Sequence, residues 1–412
     1  MRGSAEVYGS GGGAHVASVL TGRAAGRVGR VSSSPDSASE SHFDGASESA
    51  SKPRVAVVFG GRSSEHSISC ISAGSVIAAL DPQKYDVVPV GIAPDGRWVL
   101  ESAEPGHLAL GPGGELPSVS GDREIALTPA QGLVVTEPGE VPNVLGEVDV
   151  VFPVMHGPWG QDGTLQGLLE MAGVRYVGAG VLSSAVGTDK HFMKQLFLAA
   201  GLPMLPYVLV RPRQWEQDPA AIREAVEALD YPVFVKPARA GSSFGISRVD
   251  AASDLAEAIE EARRFDPKVL VETAATNARE VEIGVLQGLD GTGPETSAIA
   301  EIKVAPEHSF YDFEAKYLEE SYQIPASLNE DVVVQVRDLA VRAFEALDVE
   351  GLARVDFFVL RDGRVVVNEV ETMPGFTATS MFPLLWQASG LSYPALVERL
   401  VRLAMERSTG LR

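Results

Sequence analysis

The sequence holds a single cysteine, Cys70, among 412 residues. An intramolecular disulfide is therefore excluded, and the chain suits a reducing compartment such as the cytoplasm. Cys70 lies in an isoleucine-rich helix start and is expected to be buried and inert. No run of eighteen or more apolar residues occurs, so no segment is expected to span a membrane. Positive charge is also scarce. Against 55 Asp and Glu stand only 34 Lys and Arg, a net charge of −21, which argues against nucleic acid or an anionic membrane as a partner. An anionic substrate would have to be met by locally concentrated Lys and Arg. The first glycine turn lacks the GxGxxG spacing of dinucleotide folds, and the later lysine and glycine loop lacks the order of a GxxxxGK[ST] phosphate loop.

What remains is the composition of an α/β protein with many tight loops: 45% hydrophobic residues, 22% charged residues and 42 glycines. The length suggests two or three domains. Residues 1–52 are rich in Gly, Ser and Ala, show no periodicity and are expected to be disordered. Their apolar stretch, Val16 to Leu20, is too brief for the core of an export signal.

The stretch from Gly351 to Ser380 reads as a hairpin. Leu352 to Leu360 and Arg364 to Val370 are rich in β-branched and aromatic residues, and Asp362-Gly363 signals a two-residue type I′ turn. With that tip, Asp356 lies opposite Glu369 and Arg354 opposite Glu371. The strand period of two then puts all four on one face, leaving Val355, Phe357 and Val370 for the core. Three carboxylates about 5 Å apart repel one another unless positive charge sits among them. A hard divalent cation would supply it. Magnesium prefers a few carboxylates with positions left for phosphate and water, and two such ions clamp a phosphoryl group. Arg354 would face developing negative charge. A solvated polar face on a surface hairpin is the plainer alternative.

Taken in order, the chain begins with a buried strand, Arg54 to Phe59, a Gly60-Gly61 turn and a helix to about Leu80, capped by Ser63 or Ser64. Glu65 in the first turn would repel a phosphate and suits an ammonium. Asp86 to Ala93 gives a second strand, and the Gly/Pro-rich stretch to Pro142 short strands and loops. Val148 to Val154 is a third buried strand, ending in His156-Gly-Pro-Trp-Gly-Gln-Asp-Gly163. Loops at the carboxyl ends of parallel strands bind ligands, and His156 could meet a carboxylate there. Thr188 or Asp189 caps a helix that begins at Lys190, where a cation gains nothing from the helix dipole and so points to an anionic partner. Tyr231 to Lys236 is a strand ending in lysine before a Gly/Ser loop, a phosphate-directed pairing. Further strands at 268–272, 279–286 and 297–304 alternate with helices at 251–264 and 330–347. The aromatic and charged segment from Ser309 to Tyr317 reads as a lid.

Two phosphate-directed lysines, a Gly/Ser loop and a late metal hairpin together resemble the ATP-grasp superfamily. GGRSSEHSIS, HGPWGQDGTLQG, VFVKPARAGSSFGIS, SFYDFEAKY, ARVDFF and NEVETMPGFT, in that order from Arg54 onward, resemble the D-alanine–D-alanine ligase family. The resemblance implies an α/β ATP-grasp fold: an N-terminal parallel-sheet domain over 53–186, a central ATP-grasp subdomain over 187–276 and a C-terminal one over 277–412. It implies ATP-dependent ligation of two D-alanines for peptidoglycan synthesis, with two magnesium or manganese ions and a homodimer. Glu65 would hold the first D-alanine's amino group and form a triad with Ser242 and Tyr317, and His156 would lie near that substrate. Lys190, Lys236 and the Ser243 loop would bind ATP phosphates, and Glu272 and Glu280 would serve the adenine pocket and ribose. Asp356, Glu369 and Glu371 would hold the metals. Arg354 and the Gly375 backbone would stabilise the tetrahedral intermediate, while Lys316 and Ser380 would hold the second carboxylate.

Two positions depart from the family pattern. Glu371 stands where asparagine is normal, and Gln161 where glutamate is usual in HGxxGEDG. One change adds a negative charge and the other removes one, so the pair is expected to compensate in part. Ligation to D-lactate or D-serine, or a non-catalytic ATP-binding role, are the alternatives. The lid pair Lys316-Tyr317 favours the dipeptide.

Overall fold

A computed structural model of the chain describes residues 7–8, 52–111, 113–128, 132–136, 143–241, 244–303 and 322–409. Its architecture is three sheets. The first is built on Arg54–Gly60, a strand buried from Val55 onward, as one covered on both faces by helices must be. Asp86–Ile92 and Val150–Val154 pair parallel on either side of it, and Arg175–Tyr176 follows in the same sense. Antiparallel strands Trp98–Leu100, Glu124–Thr128, Gly132–Thr136 and Asn143–Gly146 extend the other edge, so the eight-stranded sheet is parallel in one half only. The following helix, His66–Ala79, has Glu65 at its N-cap position, without a side-chain cap. Ser63, expected as the cap, instead accepts a hydrogen bond from the Glu65 N–H at 3.3 Å and donates to the His156 carbonyl at 2.8 Å. Cys70 is fully buried, and burial, with the Glu101 charge adding, raises its thiol pKa to about 12, the inert state expected.

The second sheet is antiparallel, with strands Val7–Tyr8, Tyr207–Val210, Val269–Thr273, Val233–Pro237 and Ser247–Val249 side by side. Its first strand corrects the expectation of disorder at residues 7–8 alone; residues 1–6 and 9–51 lie outside the described residues. Tyr8 stacks on Tyr207 with ring centroids 5.1 Å apart, an aromatic contact that steadies a two-residue edge. The third sheet, also antiparallel, orders Tyr322–Gln323, Glu295–Ile302, Arg279–Leu286, Leu352–Val359 and Val365–Glu371. The helix Glu330–Ala346 covers one face, setting Val336, Ala340 and Phe344 in one core with Ile283, Val355 and Phe357. The C-terminal helices Met381–Ala388 and Tyr393–Glu406 turn the other way and share a core with Val55, Val57 and Phe152 of the first sheet. The end of the hairpin is thereby tied to the His156 side of the molecule.

The hairpin places Arg354 opposite Glu371 and Asp356 opposite Glu369, as expected, but by a different route. Its tip is not a two-residue type I′ turn. Leu360 and Arg364 close a three-residue loop, with Gly363 at φ 83° and its N–H bonded to the Leu360 carbonyl. That alone would slide every pair by one residue. A bulge between Asp356 and Phe357, with Asn368 as the extra residue on the facing strand, slides the pairing back.

Candidate active site

The cationic side of the site is carried by one helix. Asp189 caps Lys190–Ala199, accepting from the N–H groups of His191 at 3.2 Å and Phe192 at 3.3 Å. Helical spacing sets Lys190 and Lys194 one turn apart on the same face, which lies over the hairpin. Lys190 donates to the Ala240 carbonyl at 3.0 Å and stands 3.3 Å from Glu369. Lys194, fully buried, reaches the carbonyl of the bulged Asn368 at 3.4 Å and forms an ion pair with Glu272. The other oxygen of Glu272 takes Lys236, at the end of its strand as the sequence suggested. Burial opposes the charge of Lys190, but Glu369 and Glu371 outweigh it and hold its pKa above the ordinary lysine value. Burial likewise opposes ionisation of Glu272, yet Lys194 and Lys236 pull its pKa below the usual carboxylate value. Glu272 is 2% exposed, and its carboxylate is shared by the two lysines.

The anionic side is the hairpin. Arg354 makes two hydrogen bonds of 2.7 Å to Asp356 and lies 3.2 Å from Glu282, which sits opposite Asp356 on the neighbouring strand. Burial works against its charge, but Asp356 and Glu282 raise its pKa well above the ordinary arginine value. Burial, with the charges of Glu369 and Glu65, raises the Glu371 pKa in spite of Arg354 and the Gln161 amide. Glu280 shares this face two residues from Glu282 and is half-buried. Among the described residues no three acidic or histidine side chains converge on one point. Asp356 is taken by Arg354, Glu369 by Lys190 and Glu371 by Gln161. The donor set nonetheless fits a hard divalent cation: the ligands are all oxygen, on one face, and positively charged side chains already hold two of the three.

The N-terminal loops close the third side. His156 is buried, its ring meeting the Met373 carbonyl at 3.2 Å and the Ser72 hydroxyl at 3.3 Å. Burial lowers its pKa against the pull of Glu65, and the Met373 contact ties this loop to the hairpin's end. Gly157, at φ 77°, passes so close to Glu65 that a Cβ there would lie 2.6 Å from its Oε2. A Cβ on Gly241 would lie 3.5 Å from the same oxygen. Glu65 thus sits between the His156 loop and the start of the Gly/Ser loop.

Residues 54–179 match the family described as "D-ala D-ala ligase N-terminus", and residues 196–402 that described as "D-ala D-ala ligase C-terminus". The chain belongs to the D-alanine–D-alanine ligase family. A D-alanine–D-alanine ligase of Streptomyces griseus is 54% identical over 374 residues, which is 88% of this chain and 95% of that protein. One of Mycobacterium ulcerans is 52% identical over 382 residues, 90% and 100% of the two chains. Among solved structures, the VanG D-Ala:D-Ser ligase from Enterococcus faecalis has a TM-score of 0.73 at 34% identity, over 86% of this chain and 100% of that one. The D-alanine–D-alanine ligase from Coxiella burnetii has 0.72 at 32%, over 86% and 96%. The three-sheet architecture is accordingly the ATP-grasp fold.

Of the residues this family resemblance singled out, the structure gathers Glu65, His156, Lys190, Lys236, Glu272, Arg354, Asp356, Glu369 and Glu371 around the meeting of the three sheets. Gly375 follows the hairpin, and Ser380 heads the Met381–Ala388 helix, its hydroxyl 2.7 Å from that of Thr377. Ser242, Ser243, Lys316 and Tyr317 lie outside the described residues. Sequence reasoning missed Lys194 and Glu282 as members of the ionic cluster. Four-residue spacing from Lys190 and two-residue spacing from Glu280 were the available signals.

Proposed function

We propose that this chain joins two D-alanine molecules into D-alanyl-D-alanine at the expense of ATP, supplying a peptidoglycan precursor in the cytoplasm. The observation that carries the reading is the Lys190–Glu369 contact, where the cationic helix of one sheet meets the anionic hairpin of another beside the Glu65 loop. Such a site can hold a polyphosphate and an amino acid at once. Relatives named as D-alanine–D-alanine ligases at 52–56% identity support the substrate assignment.

A carboxylate is a poor acyl donor, so the γ-phosphate of ATP is transferred to the first D-alanine's carboxylate, giving an acylphosphate and ADP. The amine of the second D-alanine then attacks the acyl carbon, and phosphate leaves. Glu65 holds the first amino group, with Ser242 and Tyr317 completing the triad. Lys190 and Lys236 bind phosphate oxygens, with the Ser243 loop over them, and Glu280 serves the ribose. Asp356, Glu369 and Glu371 would hold two magnesium or manganese ions, which when bound neutralise the transferring phosphoryl group. Arg354 and the Gly375 N–H meet the oxyanion of the tetrahedral intermediate. Lys316 and Ser380 hold the second carboxylate, and the lid excludes water that would hydrolyse the acylphosphate. The domain limits are 53–186, 187–276 and 277–412, a division supported by the strands of each sheet other than Val7–Tyr8 falling within one of the three ranges. Exposed Leu168, Met171, Val181 and Leu182 on two adjacent helices support a homodimer.

Phosphate release from ATP with magnesium and D-alanine tests the reading, with products resolved from a mixture of D-alanine, D-serine and D-lactate. Dominant D-alanyl-D-alanine is expected. A mixed ester or D-alanyl-D-serine would overturn the second-substrate assignment, and absence of D-alanine-dependent phosphate release would overturn catalysis.

A further inference from the structure

Gln161 and Glu371 are 210 residues apart in sequence and joined by a hydrogen bond of 2.6 Å from the Gln161 Nε2 to the Glu371 Oε1. The amide has no freedom to turn over. Its Oε1 accepts the Gly157 N–H at 3.0 Å, which leaves Nε2 facing the hairpin. The backbone is held as well: the Gln161 carbonyl accepts from the Thr188 hydroxyl at 2.8 Å, and its N–H donates to the Gly157 carbonyl at 3.1 Å. Thr188 lies two residues before Lys190, so this residue connects the His156 loop, the approach to the cationic helix and the hairpin. Glu371 is paired in register with Arg354 on the adjacent strand, and the amide reaches it from the His156 loop.

We propose that Gln161 is a positioning residue that fixes the rotamer of Glu371. It holds Oε1 and leaves Oε2 free for a divalent cation, and positions 161 and 371 work as one acid–amide unit in which the two groups can be exchanged. The inference rests on the ligase reading only for the use made of Oε2. A carboxylate at 161 could still accept the Gly157 N–H, but its second oxygen would oppose Glu371 at hydrogen-bond distance with no proton between them. Exchanging both residues restores the match, because an amide at 371 would donate to the carboxylate at 161. Losing an outer partner of a metal ligand costs about 10–100-fold in metal affinity or activity.

The test is a double-mutant cycle on the full chain with Gln161→Glu, Glu371→Gln and the pair combined. It is read by the thermal midpoint without ligands, by manganese titration with electron paramagnetic resonance, and by D-alanine-dependent phosphate release. Gln161→Glu alone is expected to lower the midpoint and weaken manganese about 10–100-fold, and the double variant is expected to recover most of both losses. Additive effects would overturn the proposal. Coupling in the midpoint with manganese affinity unchanged would also overturn it, leaving a structural bridge only. If Gln161→Glu does not fold, Gln161→Leu serves instead, and unchanged manganese affinity there refutes the positioning role. Failure of the ligase reading appears separately, as a wild-type chain that shows the coupling and releases no phosphate.

Discussion

Glu272→Gln is the sharpest probe of the cationic side. The Glu272 carboxylate is buried to 2% exposure and shared by Lys194, at 1%, and Lys236, at 8%. Glutamine keeps the shape and one acceptor but leaves two buried ammonium groups without an anion between them. Removing one partner of a buried ion pair typically costs about 3–5 kcal/mol. At about 2–4 °C per kcal/mol for an unfolding unit of about 150–250 residues, 3 kcal/mol lowers the unfolding midpoint by about 6–12 °C. The pH dependence carries a definite sign. The folded pKa of Glu272 lies below its ordinary value of 4.5, so its contribution is complete above that pH and is lost as pH falls through the folded pKa. The wild-type and variant midpoints, measured by calorimetry without ligands, are therefore separate at pH 7 and converge in acid. Adding Lys194→Met to Glu272→Gln removes one stranded charge and is expected to recover part of the loss. A cost below about 1 kcal/mol at neutral pH, set against the 3–5 kcal/mol above, or a gap that persists in acid, would refute the assignment of this triad as a buried charge cluster.

Gly157→Ala would strain a backbone at φ 77° and press a methyl against the Glu65 carboxylate. Strain of that kind costs about 1–3 kcal/mol, and the KM for the first D-alanine is expected to rise more than kcat falls; an unchanged KM would separate Glu65 from the substrate. Nucleotide affinity should depend on the cation, because a phosphate that takes Lys190 brings its negative charge up to Glu369, a repulsion that a divalent cation offsets. Calorimetric titration is expected to find ATP with magnesium bound more tightly than ATP with a chelator, and equal affinities would refute this exchange.

The sequence made the chemistry of the hairpin legible and hid its geometry. Asp362-Gly363 reads as a two-residue turn because glycine at positive φ is needed both there and in the three-residue loop that forms. The bulge that offsets this left no trace in the sequence, because Val365, Val366 and Val367 are all apolar and all buried and show no alternation to break. The strands of the parallel half were legible because a buried strand is apolar almost throughout. Val7–Tyr8 was not, since a two-residue strand has no period and is defined by its pairing with Tyr207 and Val208. Lys194 and Glu282 were hidden for a different reason. Charged residues in a helix or alternating strand read as solvated, and only tertiary packing shows them buried with partners.

The distribution of charge explains why this site is divided among three sheets. The lysines stand on the central lobe, the carboxylates and Arg354 on the C-terminal hairpin, and the amide that meets Glu371 on an N-terminal loop. Apart, Lys190 and Glu369 would each be a largely buried charge without this partner, which is costly in a low-dielectric interior. Brought together, Lys190 meets Glu369 and the Gln161 amide donates to Glu371, while Arg354 and Asp356 are already paired within the hairpin. The contacts that neutralise the site before a ligand arrives therefore use the same groups that a phosphate and a cation would claim. A ligand carrying both charges can exchange with them one for one, while water, bringing neither, cannot.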